Sequence, residues 1–253
     1  MNEPISEKRA LEIVDEFARD ILREESGIIA IYLIGSLGGG YYRPGQSDID
    51  TVIIVRDDAK ISQERMDEIA NHYYEEYHIP KGFGSVMIRE SELRPPYTKS
   101  ITEEFEFTVE IARLKVQGTV FWGHYPLDEV IMPGRADFIA DALIMERWFS
   151  KEFGYPMFDK LAITGCVNTI LSYLRRHIII AHGIFDFNKF TTIKSYLAYS
   201  PPLVHDEAFA FIEKKLGNET DGDDTDLGML RKCGIAFRDY FNRSLLGTDS
   251  QDL

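Results

Sequence analysis

Apolar residues recur at intervals of three and four along the first part of the chain, and this spacing predicts an amphipathic helix over residues 6–24. Ser6 has a side chain suited to capping that helix at its N-terminus. Two runs rich in isoleucine and valine follow, at residues 28–34 and 49–56, and they predict buried strands. The glycine-rich residues 35–47 between the strands predict a loop. The chain therefore begins with a helix, a strand, a loop and a second strand.

The patterns that follow continue to alternate between helix and strand. Helical periodicity predicts helices over residues 61–78 and 105–116, and short apolar runs predict strands over residues 85–88 and 120–123. The prolines and scattered charges of residues 89–104 predict a loop. This half of the chain thus has the pattern of a sheet flanked by helices.

From residue 135 onward the apolar spacing is helical throughout. It predicts helices over residues 135–153, 157–182, 189–199, 205–216 and 227–245. The expected fold class is α+β, with a mixed β-sheet and flanking helices followed by an all-α helical bundle. The change of pattern predicts two domains, residues 1–130 and residues 131–253.

Composition and charge exclude several functions. The chain has 253 residues and a formal net charge of −14. Nucleic acid is not expected as a partner, because binding phosphate broadly requires a surplus of Lys and Arg, whereas a cationic small molecule would suit this balance. The two cysteines, Cys166 and Cys233, have no Cys or His nearby at metal-ligand spacing, which predicts reduced thiols in a cytoplasmic protein. The first residues are charged, and no apolar run is long enough to cross a bilayer, so neither a signal peptide nor a membrane is expected.

The two first strands and the loop between them carry the most informative side chains. Asp48 and Asp50 stand two residues apart at the start of the second strand, so both should point to one face. Carboxylates that close repel each other unless a cation lies between them, and Mg²⁺ commonly binds one or two carboxylates together with substrate phosphates. At the end of the first strand, Gly35 allows close approach of a phosphate and Ser36 offers a hydroxyl donor. The segment predicts a site for a metal-bound triphosphate, and the alternative is an ordinary capped turn.

The same residues support a resemblance to a known family. Gly35-Ser36, an eleven-residue spacer and Asp48-Ile49-Asp50 in an apolar strand resemble the nucleotidyltransferase superfamily of DNA polymerase β. The segments YLIGSLGGG and SDID, preceded by an amphipathic helix, look most like the antibiotic nucleotidyltransferases, such as the kanamycin and streptomycin/spectinomycin enzymes. The resemblance covers about residues 6–57, and the helical second half is similar in kind only.

The resemblance implies an enzyme that transfers a nucleoside monophosphate. A nucleoside triphosphate, usually ATP, would bind with two Mg²⁺ ions held by Asp48 and Asp50, while Gly35, Ser36 and Ser47 contact its phosphates. A hydroxyl of the acceptor would attack the α-phosphorus and release pyrophosphate. The acceptor implied is a small molecule such as an aminoglycoside antibiotic, so adenylylation in antibiotic resistance is the expected role. The kanamycin enzymes work as dimers, and a homodimer is therefore a possible assembly.

The sequence departs from the family pattern at the general base. The family usually carries a third carboxylate on the next core strand, but the aligned position here falls near Gly84 or Val86. The candidate replacements are glutamates, each of which is alternatively an exposed helix or loop residue: Glu110, Glu146, Glu90 and Glu92. Without a base, the protein would be a catalytically weakened, nucleotide-binding regulatory protein. A further alternative is a transferase acting on a protein or an RNA, of which RNA suits the acidic composition less.

Basic residues in the helical half have both functional and structural interpretations. Arg175, Arg176 and His177 form a cluster within the predicted helix 157–182. We interpret this cluster mainly as a solvated helix face, with contact to triphosphate or substrate as the alternative. Lys194 lies near a predicted helix start and is a candidate for a phosphate contact, although a surface lysine would have the same pattern.

Overall fold

The computed structural model describes residues 4–97, 107–153, 157–199, 206–217 and 224–247. The chain folds as two compact units. The first unit consists of Met1–Thr98 and Glu110–Met132, and the second consists of Lys99–Val109 and Pro133–Leu253. The main division, between residues 132 and 133, lies close to the predicted boundary, but the second unit also takes in a short segment from the first half of the chain.

The first unit is built on a four-stranded mixed sheet. Its elements along the chain are α1 (Glu7–Glu24), β1 (Ile28–Ile34), α2 (Gly35–Gly38), β2 (Ile49–Val55), α3 (Gln63–Tyr77), β3 (Phe83–Arg89), α4 (Phe107–Gln117) and β4 (Thr119–Gly123). The strand order is β3-β2-β1-β4. Strand β1 is antiparallel to β2 and β4, while β2 and β3 are parallel. The first three residues of α4 belong to the second unit, and the rest of this helix belongs to the first.

Helices α1 and α3 pack their apolar faces on one side of this sheet. Helix α1 begins as predicted at the Ser6 cap, where the Arg9 N–H donates to the serine hydroxyl at 3.2 Å. Its Phe17 ring lies 4.6 Å from Phe83 of β3 and 5.8 Å from Tyr73 of α3, measured between ring centroids. Each such aromatic side chain contributes about 1.5–3 kcal/mol when it is fully buried. This packing fixes β1, β2 and β3 relative to one another.

The outer edge of β3 is bound by side chains. The Gln63 amide of α3 donates to the Ser85 carbonyl at 2.7 Å, and its oxygen accepts from the Met87 N–H at 2.8 Å. One residue pair further on, the Arg89 N–H donates to the Glu92 carboxylate at 2.7 Å. A side-chain amide therefore takes the place that a neighbouring strand would have along this edge.

The second unit is helical. Its elements are α5 (Arg135–Phe153), a 3₁₀ turn (Met157–Lys160), α6 (Ile163–His182), α7 (Thr192–Tyr199), α8 (Asp206–Gly217), α9 (Asp224–Phe241) and a π turn (Asn242–Leu246). Helix α6 ends as predicted at His182, and the capping residue Gly183 has a φ of 67°. The Gly183 N–H donates to Ile179 at 2.9 Å and the Ile184 N–H to Ile178 at 3.2 Å, which closes the last turn.

The interior of the second unit contains charged residues, and here one interpretation of the sequence was wrong. Arg176 is buried and forms an ion pair with Asp141 at 3.3 Å. His177 is also buried, with its ring stacked on Tyr240 at 5.5 Å and in edge contact with Tyr196 at 5.3 Å. These two residues do not form a solvated face, because an acidic partner and aromatic rings within the same unit replace their contacts with water.

Most predicted elements are present, with ends that differ from the predicted ones by a few residues, and the predicted helix 157–182 is divided into a 3₁₀ turn at Met157–Lys160 and helix α6 at Ile163–His182. Strand β1 and helix α5 begin and end at the predicted residues. The short helix α2 was missed and lies inside the predicted loop 35–47. Within the predicted loop 89–104, residues 90–93 form a 3₁₀ turn. Residues 98–104 of this loop lie outside the described residues. None of the described helices combines the length and the apolar character that crossing a bilayer requires.

Candidate active site

The carboxylate of Asp50 lies between two glycines. Asp50 is the second residue of β2 and is paired with Ile34 of β1 on one side and with Gly84 of β3 on the other. A Cβ atom added to Gly35 would overlap Asp50 Oδ2, and one added to Gly84 would lie 3.0 Å from Asp50 Oδ1. The carboxylate therefore fills the space that side chains at positions 35 and 84 would occupy, directly beside the turn that follows β1.

The residues at the start of β2 alternate in burial. Ser47 and Ile49 are fully buried, whereas Asp48 and Asp50 on either side of Ile49 are partly exposed. Because successive side chains of extended backbone point in opposite directions, both aspartates lie on the face opposite Ile49. Asp48 also acts on Tyr42: burial is the main cause that raises the pKa of the Tyr42 phenol, and the negative charge of Asp48 adds to it. Two carboxylates thus share one face at the end of the sheet.

Helix α2 begins directly after the last residue of β1, and hydrogen bonds to its carbonyl groups hold it in place. Gly35 has a φ of 61°, a conformation that glycine adopts without strain. Its carbonyl accepts from the Gly39 N–H at 3.0 Å and from the Gln117 side-chain amide at 3.5 Å. The Thr119 hydroxyl donates to the Gly38 carbonyl at 2.9 Å. The end of α4 and the start of β4 therefore fix the orientation of this turn.

Ser36 follows Gly35 in the chain, and its hydroxyl is buried. No described atom forms a hydrogen bond with this hydroxyl. The residue is only 5% exposed. A buried polar group left in this state costs about 1–3 kcal/mol, so its presence suggests a ligand that completes the hydrogen bond. A phosphate oxygen is such a partner.

Ser47 has a different environment. Its hydroxyl oxygen accepts from the Arg43 N–H at 2.9 Å, and its own N–H donates to the Arg43 carbonyl at 3.0 Å. These two bonds close the chain into a turn just before Asp48. The observed contacts of Ser47 are those of a residue that shapes the loop, and its contact with a phosphate stays a prediction.

The donor set fits a hard divalent cation that is shared with a phosphorylated ligand. Among the described residues, no group of three or more His, Cys, Asp or Glu side chains is placed to bind a metal. Asp48 and Asp50 supply two carboxylates, and Mg²⁺ often takes only one or two carboxylates from a protein while phosphates and water complete its shell. Together with the Ser36 hydroxyl and the space bounded by Gly35, these residues suit a metal-bound phosphate chain.

The glutamates proposed as a base in the first unit have different surroundings. Glu110, in α4, is 7% exposed and forms an ion pair with Arg113 of the same helix at 3.0 Å. Glu90 is exposed, and Glu92 accepts the hydrogen bond from the Arg89 N–H. Glu92 thus caps the end of β3, while the catalytic roles proposed for these residues stay predictions.

The second unit contains two more candidate site residues, Glu146 as a base and Lys194 as a phosphate contact. Glu146 is fully buried: Arg238 donates to its Oε2 at 2.7 Å, Asn242 donates to the same oxygen at 3.0 Å, and the Tyr173 hydroxyl donates to Oε1. These contacts are those of a residue that stabilises the helical interior. The role of Glu146 as a catalytic base stays a prediction. Lys194 is exposed near the start of α7.

Comparison with known proteins agrees with this geometry. The family model "nucleotidyltransferase domain" matches residues 16–107, a segment that contains α2, both aspartates and Gly84. Residues 16–107 therefore match a nucleotidyltransferase domain. No curated protein sequence matches the chain.

The fold is similar to that of a spectinomycin adenyltransferase. The crystal structure of AAD(9) from Enterococcus faecialis, with ATP and spectinomycin, superposes with a TM-score of 0.62 at 15% sequence identity. The match covers 91% of this chain and 99% of that chain. A toxin-antitoxin structure with AMP-PNP covers 60% of this chain and 98% of its own at 18% identity, but its TM-score is 0.30.

Proposed function

We propose that the protein transfers a nucleoside monophosphate, AMP from ATP, to a hydroxyl of a small molecule and releases pyrophosphate. The observation that carries this proposal is the position of Asp50. Its carboxylate lies against Gly35, at the start of a turn whose buried Ser36 hydroxyl has no described partner. The family match of residues 16–107 supports the same activity class.

The residues of the first unit would divide the work as follows. Asp48 and Asp50 hold Mg²⁺, which neutralises phosphate charge and orients the triphosphate; the family resemblance leads us to expect two such ions. Ser36 donates to a phosphate oxygen, and Gly35 leaves room for the Asp50 carboxylate beside it. Gln117 and Thr119 keep the carbonyls of the turn engaged, so that these do not face the negatively charged ligand.

The donor and the acceptor are proposed from charge and likeness. The AAD(9) structure was determined with ATP and spectinomycin, which supports ATP as donor and an antibiotic of the aminoglycoside type as acceptor. A net charge of −14 favours a cationic acceptor over a polyanion such as RNA. The first unit would bind the nucleotide and the second the acceptor, in a cytoplasmic protein that forms a homodimer if it follows the kanamycin enzymes.

Labelled ATP, Mg²⁺ and a panel of aminoglycosides that includes spectinomycin test the proposal directly. The wild-type protein should yield a nucleotidylated antibiotic and pyrophosphate. Asp48→Asn should lower the rate by about a hundredfold or more, because it removes a charged metal ligand. Glu110→Gln tests the base candidate of the first unit in the same assay. If the wild type and Asp48→Asn release equally little pyrophosphate with every acceptor, including protein, the proposed transfer is wrong.

A second candidate function rests on Gly84. This residue is paired with Asp50, and it is one of the two positions, Gly84 and Val86, near which the family resemblance leads one to expect a third carboxylate. The protein would then bind a nucleotide for regulation and turn it over slowly or not at all. Calorimetry would show ATP binding with no pyrophosphate formed over hours, whereas steady release with any acceptor would contradict this alternative.

A further inference from the structure

The two glycines beside Asp50 differ in their surroundings. Gly35 is buried at the start of α2, and Asp50 Oδ2 lies so close to it that a Cβ there would overlap the oxygen. Gly84 is exposed on β3, and a Cβ there would stand 3.0 Å from Asp50 Oδ1. One side of the carboxylate is therefore closed by the fold, and the other side is open only because residue 84 has no side chain.

The backbone gives no reason for a glycine at position 84. The residue lies within a regular parallel pairing of β2 and β3, and its φ is not among the positive values of the described chain. Glycine in the interior of a strand weakens that strand and often marks a place where another group approaches closely. Here the approaching group is the carboxylate of Asp50, since the next nearest atom, the Ile49 carbonyl oxygen, is 4.0 Å from the same point.

A side chain at position 84 would therefore move the carboxylate. A separation of 3.0 Å between a Cβ and an oxygen is shorter than ordinary contact, so Oδ1 would have to shift by some tenths of an ångström. The shift could not be taken up toward Gly35, because Oδ2 already lies against that residue. Mg²⁺ demands oxygen ligands at about 2.0–2.1 Å in nearly ideal octahedral geometry, so it responds to a shift of this size.

We propose that Gly84 is a positioning residue for Asp50: its missing side chain sets where the carboxylate lies and hence how tightly the site binds a metal–nucleotide complex. This inference rests on the proposed function, in which Asp50 holds Mg²⁺. It assigns a role to Gly84, one of the two positions near which the family resemblance leads one to expect a carboxylate. Gly84 acts through Asp50 and touches neither metal nor substrate.

The first test needs neither metal nor substrate. The thermal unfolding of the full chain is measured in EDTA for Gly84→Ala, in the wild-type background and in an Asp50→Ala background. Replacing a strand glycine should raise Tm by about 2–4 °C where no carboxylate stands in the way, which is the Asp50→Ala background. In the wild-type background this gain should disappear or become a loss. Equal shifts in both backgrounds would show that the two residues are not coupled and would overturn the proposal.

The second test measures binding of a non-hydrolysable ATP analogue by calorimetry, with Mg²⁺ and in EDTA. Gly84→Ala should weaken binding of the magnesium complex by about threefold to tenfold and leave the metal-free affinity unchanged, because only the metal ligand moves. Gly228→Ala is the matched control, since a Cβ at position 228 meets no atom within 4 Å, and it should behave as the wild type.

The outcomes separate this role from the proposed function. If the wild type needs Mg²⁺ for tight binding and Gly84→Ala binds equally well, the role of Gly84 is wrong and the metal site stands. Equal losses of affinity with and without Mg²⁺ would show general damage and also overturn the role. If the wild type binds the analogue no better with Mg²⁺, both the metal site and the role of Gly84 fail.

Discussion

Two serines near the aspartates differ in what their hydroxyl groups do. The Ser36 hydroxyl is buried without a described partner, whereas the Ser47 hydroxyl accepts a hydrogen bond from the Arg43 N–H. A group of the first kind is held ready for a ligand at some cost to stability, and one of the second kind contributes to stability by itself. The sequence placed both in the same predicted role, because residue type and spacing do not reveal which partner a hydroxyl has.

The two serines should respond in opposite ways to substitution by alanine. Ser36→Ala should leave the free energy of unfolding unchanged or slightly raised, and it should weaken ATP binding by about tenfold to a hundredfold, because a hydrogen bond to a charged group is lost. Ser47→Ala should lower the free energy of unfolding by about 1–3 kcal/mol, because the Arg43 N–H loses its acceptor. Denaturant titration and calorimetry measure both effects. A stability loss in Ser36→Ala with unchanged affinity would contradict the assignment of Ser36.

Glu146 permits a clear distinction between a structural residue and a base. Its carboxylate accepts hydrogen bonds from Arg238, Asn242 and Tyr173, all in the second unit. Glu146→Ala should lower the free energy of unfolding by about 3–5 kcal/mol, because it leaves the buried Arg238 guanidinium without its partner. The control is Glu152→Ala, an exposed glutamate of the same helix, which should change stability by less than about 0.5 kcal/mol. Full stability with lost activity in Glu146→Ala would instead identify a catalytic base.

At the scale of elements, the sequence predicts what depends on local pattern and misses what depends on pairing. The bounds of β1 and α5 follow from runs of apolar residues and from their period. Helix α2 was missed because a four-residue segment with two glycines has low helix propensity, and it forms only where Gln117 and Thr119 bind its carbonyls. The pairing of Asp50 with Gly84 joins two strands separated by a helix, and nothing in either strand alone specifies that register.

Helix α6 should make stability depend on pH through His177. Burial, with a smaller contribution from the charge of His182, lowers the pKa of His177 to about 4, and the rings of Tyr196 and Tyr240 cover its imidazole. Because the folded pKa is below that of an unfolded histidine, about 6.5, the folded state binds fewer protons. Its full stability is present above pH 6.5 and falls by about 2–3 kcal/mol as the pH decreases toward 4.

The pH effect can be isolated by comparing variants. Denaturant unfolding between pH 7 and pH 4 should show a smaller loss of stability for His177→Leu than for the wild type. His72→Ala removes an exposed histidine of α3 and should leave the wild-type profile unchanged. Parallel profiles for His177→Leu and the wild type would contradict the assignment of this dependence to His177.

At the scale of the whole molecule, the sequence indicated the class of protein because the informative residues are close together. The turn and both aspartates lie within residues 35–50, inside the matched segment 16–107, so one stretch of chain reports the nucleotidyltransferase domain. The change from a mixed to a helical pattern predicts two domains, and the exact boundary between them stays a prediction, because long-range contacts decide it and local periodicity does not.

The side chains along the outer edge of β3 have a consequence for how copies of the protein meet. An exposed edge strand is a template on which a strand of another molecule can add, and such addition leads to unwanted aggregation. Here Gln63 and Glu92 already bind the Ser85 carbonyl and the N–H groups of Met87 and Arg89. At these three groups an added strand would have to displace side chains of the same chain before it could pair with β3.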